Sequence, residues 1–238
     1  MKILITGSSS GIGLACTNKL LSTGHSVIGL SRRPMPIQHA NLDALSIDLS
    51  KLLNLPEKIE TISKRFDPID AVILSAGQGL FGHLEQFSYD QISSTINLNL
   101  TSTMYITRAI VPQMKHQGYG HIIIIGSEAA LRGTQQGSIY SASKFALRGF
   151  SQALREEVSR CGIRVTLINP GMVRTPFFSK LKFQPGPLDQ HAIEAEDIAT
   201  TIYQTMTTRS GTVIEEINIS PQKNVIDFKK KIKIDKTR

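Results

Sequence analysis

The amino-acid sequence predicts a single α/β domain, a doubly wound parallel sheet of about seven strands with helices on both faces. Short runs rich in β-branched residues alternate with longer amphipathic stretches, which is the pattern of successive βαβ units. The run Ala71–Leu74 is apolar at every position, which indicates a strand buried on both faces. A length of 238 residues with 40% hydrophobic content is sufficient for one such domain.

This alternation predicts the position of each strand and helix along the chain. The predicted strands are residues 2–6, 26–30, 45–47, 71–75, 121–126, 164–169 and 213–217. The predicted helices are residues 11–23, 56–65, 89–116, 140–161 and 195–208. No internal repeat or low-complexity linker divides the chain. We therefore predict one domain over residues 1–222, followed by a C-terminal tail of residues 223–238.

Residues 175–195 depart most from this alternation. Three prolines interrupt regular structure there, and three phenylalanines favour burial. They are Pro176, Pro185, Pro187, Phe177, Phe178 and Phe183. This composition predicts either a mobile lid over an apolar pocket or an ordinary surface excursion.

The net charge of +8 is concentrated at the C-terminus. Residues 223–238 contain seven basic residues against Asp227 and Asp235, a net charge of +5, and the rest of the chain carries +3. Because the basicity is mainly a property of the tail, we expect no nucleic-acid partner. The tail is predicted to be solvated, with an acidic partner or a membrane contact as the alternative.

We expect a cytoplasmic protein with neither a membrane span nor a secretory signal. The longest aliphatic run, residues 122–125, is far short of the ~20 residues that span a bilayer. The N-terminal apolar run reaches Thr6-Gly7 too soon to be the core of a signal peptide. Cys16 and Cys161 are too few for a disulfide framework, so free thiols are expected. No metal site is predicted.

A glycine-rich loop links the first strand to the first helix. It has the sequence Thr6-Gly7-Ser8-Ser9-Ser10-Gly11-Ile12-Gly13. Glycines at this junction let the backbone approach a pyrophosphate, and the N–H groups at the helix start hold the anion. The sequence therefore predicts a Rossmann-type dinucleotide site. Its candidate residues in this loop are Gly7, Ser9, Ser10, Gly11, Ile12 and Gly13.

The end of the second strand indicates NADP rather than NAD. An NAD site usually has an acidic residue there that hydrogen-bonds the ribose 2′-hydroxyl. This chain has Ser31-Arg32-Arg33 instead. A carboxylate would repel a 2′-phosphate, whereas Ser31 and Arg32 are suited to bind it. Arg33 either assists or is simply exposed.

Tyr140 and Lys144 are four residues apart and so lie on one face of a helix. Carbonyl reduction needs a proton for the developing alkoxide, and a free tyrosine with a pKa of ~10 is a sluggish base for the reverse reaction. A nearby ammonium and an oxidised nicotinamide both favour the phenolate. We therefore expect Tyr140 to be the general acid/base. Lys144 is expected to lower its pKa and to hold the nicotinamide ribose.

These motifs resemble the short-chain dehydrogenase/reductase family. The loop spacing Thr-Gly-x-x-x-Gly-Ile-Gly, Arg32 and the Tyr-x-x-x-Lys pair are similar to the family's motifs, and the resemblance extends from Ile3 to about Thr175. It implies that Ser127, thirteen residues before Tyr140, polarises the substrate oxygen. It also implies that Asn99, rather than Asn97, supports a proton-relay water. A buried asparagine that satisfies backbone groups is the alternative for Asn99.

The resemblance also implies further cofactor contacts beyond the loop. They are Asp48, Leu49, Ser75, Ala76, Gly77, Tyr140, Lys144, Pro170, Gly171, Val173 and Thr175. Asp48 is equally suited to cap a following turn. Ser75 stands where the family usually has asparagine, which weakens the expectation of a side-chain hydrogen bond there. The family usually forms dimers or tetramers through two long helices, so a homodimer or homotetramer is implied.

The sequence therefore predicts an NADP(H)-dependent oxidoreductase that reversibly reduces a carbonyl to an alcohol by hydride transfer. The alternative is a catalytically silent NADP-binding sensor or interaction protein of the same fold. The intact set of Asn99, Ser127, Tyr140 and Lys144 counts against it. The small-molecule substrate stays open among 3-oxoacyl groups, 3-hydroxy acids, steroids and small ketones or aldehydes.

Overall fold

A computed structural model describes residues 1–229 of the protein. Its strands are β1 (Lys2–Thr6), β2 (Ser26–Ser31), β3 (Leu42–Ser46), β4 (Ala71–Leu74), β5 (Gly120–Ile125), β6 (Ile163–Pro170), β7 (Val173–Arg174), β8 (Phe183–Pro185), β9 (Ile193–Glu194), β10 (Glu216–Ile219) and β11 (Ile226–Phe228). Its α-helices are α1 (Gly11–Ser22), α2 (Leu55–Arg65), α3 (Tyr89–Ile96), α4 (Ser102–Gln117), α5 (Ser138–Val158) and α6 (Ala195–Thr207).

The central sheet has seven parallel strands in the order β3-β2-β1-β4-β5-β6-β10. Chain order reverses at β1, which pairs with β2 on one side and with β4 on the other. In such sheets the ligand crevice lies at the carboxyl ends of the strands, at this switch point. The predicted doubly wound Rossmann-type fold is confirmed.

Two apolar layers, one on each face of the sheet, form the core. In β1 the side chain of Leu4 packs in one layer, with α2, α4 and α5, while Ile3 and Ile5 pack in the other, with α1 and α6. All three are fully buried. Burial of both faces explains why β4 is apolar at every position.

Two edge strands lie a few residues from their predicted positions. The third strand begins at Leu42, which is opposite Val27, rather than at residue 45. The last strand is Glu216–Ile219 rather than residues 213–217, and it pairs with Leu167–Pro170. Each edge strand has one neighbour and is only partly buried. Backbone pairing, rather than an apolar run, therefore sets its limits.

The long helix predicted over residues 89–116 is divided by the π-helical turn Asn97–Thr101. A π-helical turn has hydrogen bonds between residues five apart, instead of four, and often occurs at functional sites. Asn99 lies in it, with its side chain buried. The turn thus directs Asn99 towards the loop that follows β4.

The segment predicted as a lid and the start of the predicted tail fold together. Within residues 175–195, a 3-10 helix at Pro176–Lys180 precedes β8, and β9 pairs with β7. β11, which the sequence placed in the solvated tail, pairs antiparallel with β8. The tail boundary at residue 223 is therefore not a structural boundary. Residues 230–238, with most of the basic side chains of the tail, lie outside the described residues.

Within residues 1–229, no helix is long and apolar enough to cross a membrane. The same part of the chain contains no group of three or more His, Cys, Asp or Glu side chains that could hold a metal ion. Cys16 and Cys161 are free thiols, and burial raises the pKa of Cys16 to about 12, which keeps that thiol protonated.

Candidate active site

The glycine-rich loop lies between the ends of β1, β2 and β4. Gly7 has a φ of 70° and donates its N–H to the Leu30 carbonyl at 2.8 Å, and a Cβ on it would lie 3.0 Å from Ala76 Cα. A Cβ on Gly13 would collide with the Gly7 carbonyl. Both positions therefore require glycine. Ser10, the N-cap of α1, makes no side-chain cap hydrogen bond among the described residues, which leaves first-turn N–H groups for an anion.

One polar side chain at the end of β2 contacts this loop. Arg33 is exposed, and its Nη2 donates to Ser10 Oγ at 2.6 Å. The charge of Arg32 is close enough to Asp48 to lower the pKa of that carboxyl, after the larger effect of the hydrogen bond from Ser50. Two guanidinium groups thus lie where the 2′-phosphate is expected.

The Ser31 hydroxyl, which was predicted to bind the 2′-phosphate, has a partner within its own turn. The hydroxyl donates to the Arg33 carbonyl at 2.6 Å and is buried. Since the single hydroxyl proton is used within the turn, Ser31 shapes the turn rather than donating to a phosphate. Asp48 accepts from the N–H and the hydroxyl of Ser50 at 3.0 and 2.7 Å, so the capping interpretation holds for it. Its neighbour Leu49 is buried in the core.

The chain after β4 passes between the loop and the catalytic candidates. Thr6 Oγ1 accepts from the N–H groups of Ser75 and Ala76, both at 3.0 Å. A Cβ on Gly77 would lie 3.4 Å from Asn99 Oδ1 and 3.9 Å from Lys144 Nζ. Small residues here keep the crevice open beside Lys144.

Asn99 is held by the backbone of Gln78. Its Oδ1 accepts from the Gln78 N–H, and its Nδ2 donates to the Gln78 carbonyl, each at 2.9 Å. Its Nδ2 also donates to Ser143 Oγ at 3.2 Å. The side chain of Asn99 is therefore fully used in joining the π-helical turn to the loop after β4 and to α5. These bonds agree with the alternative prediction for Asn99, a buried side chain that satisfies backbone groups. The relay role that is proposed for Asn99 then falls to its backbone.

Tyr140 and Lys144 are both buried on α5, 8% and 5% exposed. Lys144 Nζ lies 5.7 Å from the centre of the Tyr140 ring and donates to the Ile125 carbonyl at 2.9 Å. Ser127 lies two residues beyond the end of β5, and its hydroxyl is beside the Tyr140 phenol. The structure thus brings Ser127, Tyr140 and Lys144 together, as the sequence predicts.

Burial has the largest effect on the pKa values of Tyr140 and Lys144. It raises the pKa of Tyr140 to about 12, partly opposed by the Ser127 hydroxyl and reinforced by the charge of Glu128. It lowers the pKa of Lys144 to about 8. The expected lowering of the Tyr140 pKa by Lys144 is not found: burial has the largest effect on this pKa, and the Ser127 hydroxyl is the group that lowers it. Tyr140 is therefore a neutral phenol at neutral pH.

Asn169 holds Ser127 in place, and sequence reasoning did not assign it a role. Its Oδ1 accepts from the Ser127 N–H at 3.3 Å, and its Nδ2 donates to Glu216 and Asn218 at 2.8 and 3.0 Å. Glu216 in turn pairs with Arg148 of α5 at 3.1 Å. The amide in Asn169-Pro170-Gly171 was the available signal, because a buried amide next to a strand end must find partners.

The Pro170–Thr175 segment lies beside the glycine-rich loop. The Gly171 N–H is used by the Ile219 carbonyl at 2.8 Å, and Val173 is buried. A Cβ on Gly11 would lie 3.3 Å from Thr175 Cβ. Thr175 Oγ1 accepts from the Phe177 N–H at 3.4 Å and begins the 3-10 helix that follows. Thr175 thus connects the loop to the aromatic segment.

Two phenylalanines contact Tyr140, and two more extend the cluster. The ring centres of Phe81 and Phe177 lie 5.1 and 5.9 Å from that of Tyr140, and Phe183 lies 5.0 Å from Phe81. Phe178 completes the cluster beside Phe177 and Phe183. Phe177 of the predicted lid therefore contacts Tyr140, and Phe178 and Phe183 extend the same cluster.

A parallel sheet with a glycine-rich turn at its switch point defines a nucleotide-binding α/β protein. The family model described as short chain dehydrogenase matches residues 1–185. The chain belongs to this family and is one of its oxidoreductases.

Proteins that are similar to this chain over nearly its whole length support this assignment. An uncharacterized oxidoreductase of Staphylococcus epidermidis is 31% identical over 224 residues, 92% of this chain and 96% of the relative. Serine dehydrogenase from Escherichia coli has a TM-score of 0.79 and 27% identity, covering 92% of this chain and 97% of its own. A metagenomic short-chain oxidoreductase in complex with NADP has a TM-score of 0.77 and 26% identity, covering 93% and 96%.

Proposed function

We propose that the protein is an NADP(H)-dependent oxidoreductase that interconverts a carbonyl and an alcohol. The observation that carries this proposal is the meeting of Ser127, Tyr140 and Lys144 at the carboxyl ends of the strands, beside the glycine-rich loop. A hydroxyl, a phenol and an ammonium in one buried crevice are the groups that orient a carbonyl oxygen and supply its proton.

The crevice fits a nicotinamide dinucleotide. Gly7 and Gly13 leave room for the backbone to approach a pyrophosphate, and the first turn of α1 binds it. Arg32 and Arg33 are placed for the 2′-phosphate, and a related structure holds NADP. Lys144 would hold the nicotinamide ribose. When bound, the cofactor supplies or accepts the hydride.

The residues of the chain determine where the proton goes. Tyr140, with its pKa raised to about 12, keeps its proton at neutral pH and donates it from the phenol oxygen to the developing alkoxide. Ser127 Oγ hydrogen-bonds the same substrate oxygen. Asn99 supports the relay that returns a proton through Lys144. Phe81 and Phe177, which contact the Tyr140 ring, exclude water from this reaction. A protonated Tyr140 favours reduction over oxidation.

The remaining features belong to the same proposal. We propose a homodimer or homotetramer that works in the cytoplasm on a small-molecule substrate, without nucleic acid or membrane. The free thiols and the concentration of the net charge at the C-terminus support the compartment and the absence of nucleic acid.

The test is a screen of carbonyl compounds with the purified protein, following NADPH oxidation, with NADH as the comparison. We expect turnover with NADPH that greatly exceeds turnover with NADH. NADPH binding without turnover of any carbonyl or alcohol would instead identify the silent sensor of the same fold. An absence of NADPH binding would contradict both.

A further inference from the structure

Ser127 lies beyond the last residues that pair β5 with β6, so the backbone ladder of the sheet does not hold it. The pairing ends at Ile125, opposite Ile168. Pro170, at the end of β6, has no N–H with which the ladder could continue. The Ser127 N–H instead donates to the side chain of Asn169, at 3.3 Å. The position of Ser127 therefore depends on how the Asn169 amide is held.

The amide of Asn169, which is 1% exposed, satisfies its partners in only one orientation. Its Oδ1 accepts from the Ser127 N–H, and its Nδ2 donates to Glu216 Oε1 at 2.8 Å. An ionised carboxylate only accepts hydrogen bonds, so Glu216 keeps the amide nitrogen towards β10 and the amide oxygen towards Ser127. The second partner of Nδ2, Asn218 at 3.0 Å, is an exposed amide that can turn to suit either orientation. Glu216 therefore sets the orientation of the Asn169 amide.

Glu216 is itself held by α5, the helix that carries Tyr140. Arg148 Nε lies 3.1 Å from each of the two carboxylate oxygens of Glu216. Arg148 and Tyr140 are both residues of α5. This chain of contacts thus joins the helix of the phenol to the backbone of Ser127.

Two neighbouring residues complete the surroundings of Ser127. A Cβ on Gly126 would collide with Asn169 Oδ1, so glycine at this position lets the amide approach. Ser127 Oγ accepts from the Ala129 N–H at 3.2 Å, which leaves its own proton to donate. Ser127 is thus held at its backbone by Asn169 and at its side-chain oxygen by Ala129.

We propose that Asn169 and Glu216 are positioning residues that set the place of the Ser127 hydroxyl beside the Tyr140 phenol. This inference rests on the proposed function, in which Ser127 and Tyr140 orient and protonate the substrate oxygen. Both positioning residues act through Ser127 rather than on the substrate. A misplacement of about 1 Å can lower the rate of such a reaction by ~10², so the effect falls on kcat rather than on cofactor binding.

Glu216→Gln tests the orientation of the Asn169 amide. The single oxygen of the glutamine is needed by Arg148, so its NH₂ group faces Asn169 and favours the reversed amide. The reversed amide offers no acceptor to the Ser127 N–H. We expect hydrogen exchange at the Ser127 amide, measured by mass spectrometry with residue-level fragmentation, to become about fivefold faster or more, the scale of one lost hydrogen bond.

The kinetics of the same variant test the consequence for the reaction. The assay uses NADPH and the carbonyl compound of the screen that the wild-type protein reduces fastest. We expect kcat of Glu216→Gln to fall about tenfold or more, whereas KM for the carbonyl and Kd for NADPH change less than about twofold.

Glu215→Gln is the matched control. Glu215 is the neighbouring residue and pairs with Arg155, which is also on α5, at 3.0 Å. Among the described residues, Asn169 Nδ2 bonds to Glu216 and Asn218 and not to Glu215. Glu215→Gln therefore weakens a similar contact with α5 without turning the amide. We expect the wild-type exchange rate at Ser127 and the wild-type kcat.

Asn169→Asp combined with Glu216→Gln should restore the network. The two oxygens of the aspartate can accept from the Ser127 N–H and from the glutamine NH₂ group, while the glutamine oxygen accepts from Arg148. We expect the exchange rate at Ser127 and kcat to return to within about threefold of the wild-type values. Recovery by a second substitution distinguishes this role from a general loss of stability.

Ser127→Ala separates positioning from other effects of Glu216. In that background Glu216→Gln should change the residual kcat by less than about twofold, because the hydroxyl that Glu216 positions is gone. An equal loss of kcat with and without the Ser127 hydroxyl would overturn the proposal. So would wild-type exchange and kcat in Glu216→Gln, an equal effect of Glu215→Gln, or a double variant without recovery. Exchange that responds as expected in a protein that reduces no carbonyl would instead remove the proposed function, and with it any role of the two residues in catalysis.

Discussion

Lys229 Nζ donates a hydrogen bond to the Phe178 carbonyl at 2.5 Å and a second to the Ser179 carbonyl at 3.2 Å. Through these bonds the C-terminal segment is attached to the 3-10 helix that carries Phe177 and Phe178 over Tyr140. The pairing of β11 with β8 and the bond from the Gly186 N–H to the Val225 carbonyl, at 2.9 Å, continue the same attachment. The aromatic cover of the active site thus depends on residues near the end of the described chain.

Lys229→Met should loosen this cover, because it removes both side-chain donors from the carbonyls of the 3-10 helix. We expect faster amide hydrogen exchange at Gly186 and Leu181, measured by mass spectrometry, and a KM for an apolar substrate raised about threefold or more, as for the loss of one hydrogen bond. Lys223→Met is the control, since only the backbone N–H of Lys223 bonds to the loop, at the Gln190 carbonyl. Identical exchange in both variants would contradict the attachment.

Tyr140→Phe removes the phenol proton while keeping the ring that packs against Phe81. We expect kcat for carbonyl reduction to fall by about 10²–10⁴, the usual contribution of a general acid. NADPH affinity, followed by quenching or enhancement of cofactor fluorescence, should change little. Tyr89→Phe, at a side chain that is 92% exposed, provides the matched control. Near-normal turnover in Tyr140→Phe would exclude the phenol from the proton transfer.

Arg32→Ala and Arg33→Ala should each weaken NADPH much more than NADH. The loss of one charge-assisted contact to the 2′-phosphate corresponds to roughly 1.5–3 kcal/mol, or at least a tenfold rise in Kd. Arg33→Ala also releases Ser10 Oγ at the start of α1. Equilibrium titration with both cofactors measures the effect, and Arg160→Ala, on an exposed turn, is the comparison. Equal weakening of NADH and NADPH would refute the 2′-phosphate assignment.

His121 should make the fold less stable in mild acid. Burial, reinforced by the charge of Arg164, lowers the pKa of His121 from 6.5 to about 3. Between these two pH values the unfolded chain binds a proton that the folded chain does not, so stability falls as the pH is lowered from about 6.5 to about 3. From pH 7 to pH 5 this group alone should reduce the free energy of unfolding by about 2 kcal/mol.

His121→Gln, measured by urea unfolding at both pH values, checks this dependence. The glutamine amide keeps a partner for Thr166 Oγ1, which lies 2.9 Å from His121 Nε2, but it binds no proton. We expect the loss of unfolding free energy between pH 7 and pH 5 to be about 2 kcal/mol smaller in this variant than in the wild-type protein. His116→Gln, at an exposed position on α4, should keep the full loss. If His121→Gln lost as much unfolding free energy at pH 5 as the wild-type protein, His121 would not be responsible for the acid sensitivity.

The outline of the fold could be predicted because local patterns determine it. β1 begins and ends at the predicted residues, since Ile3, Leu4 and Ile5 are buried on both sides and the glycine-rich loop follows at once. The predicted edge strands were displaced because their limits depend on pairing with β2 and β6, which no local pattern specifies.

The sequence by itself determined the types of residue in the active site: the spacing of Tyr140 and Lys144 on one helix, the position of Ser127 after a strand, and the absence of a carboxylate beside Arg32. These are properties of short segments, fixed by helical periodicity and by strand ends. Only the tertiary structure decided the titration of Tyr140, because desolvation depends on every neighbour that excludes water. It also decided that β11 pairs with β8, the strand that contains Phe183, since that contact joins residues far apart in the chain.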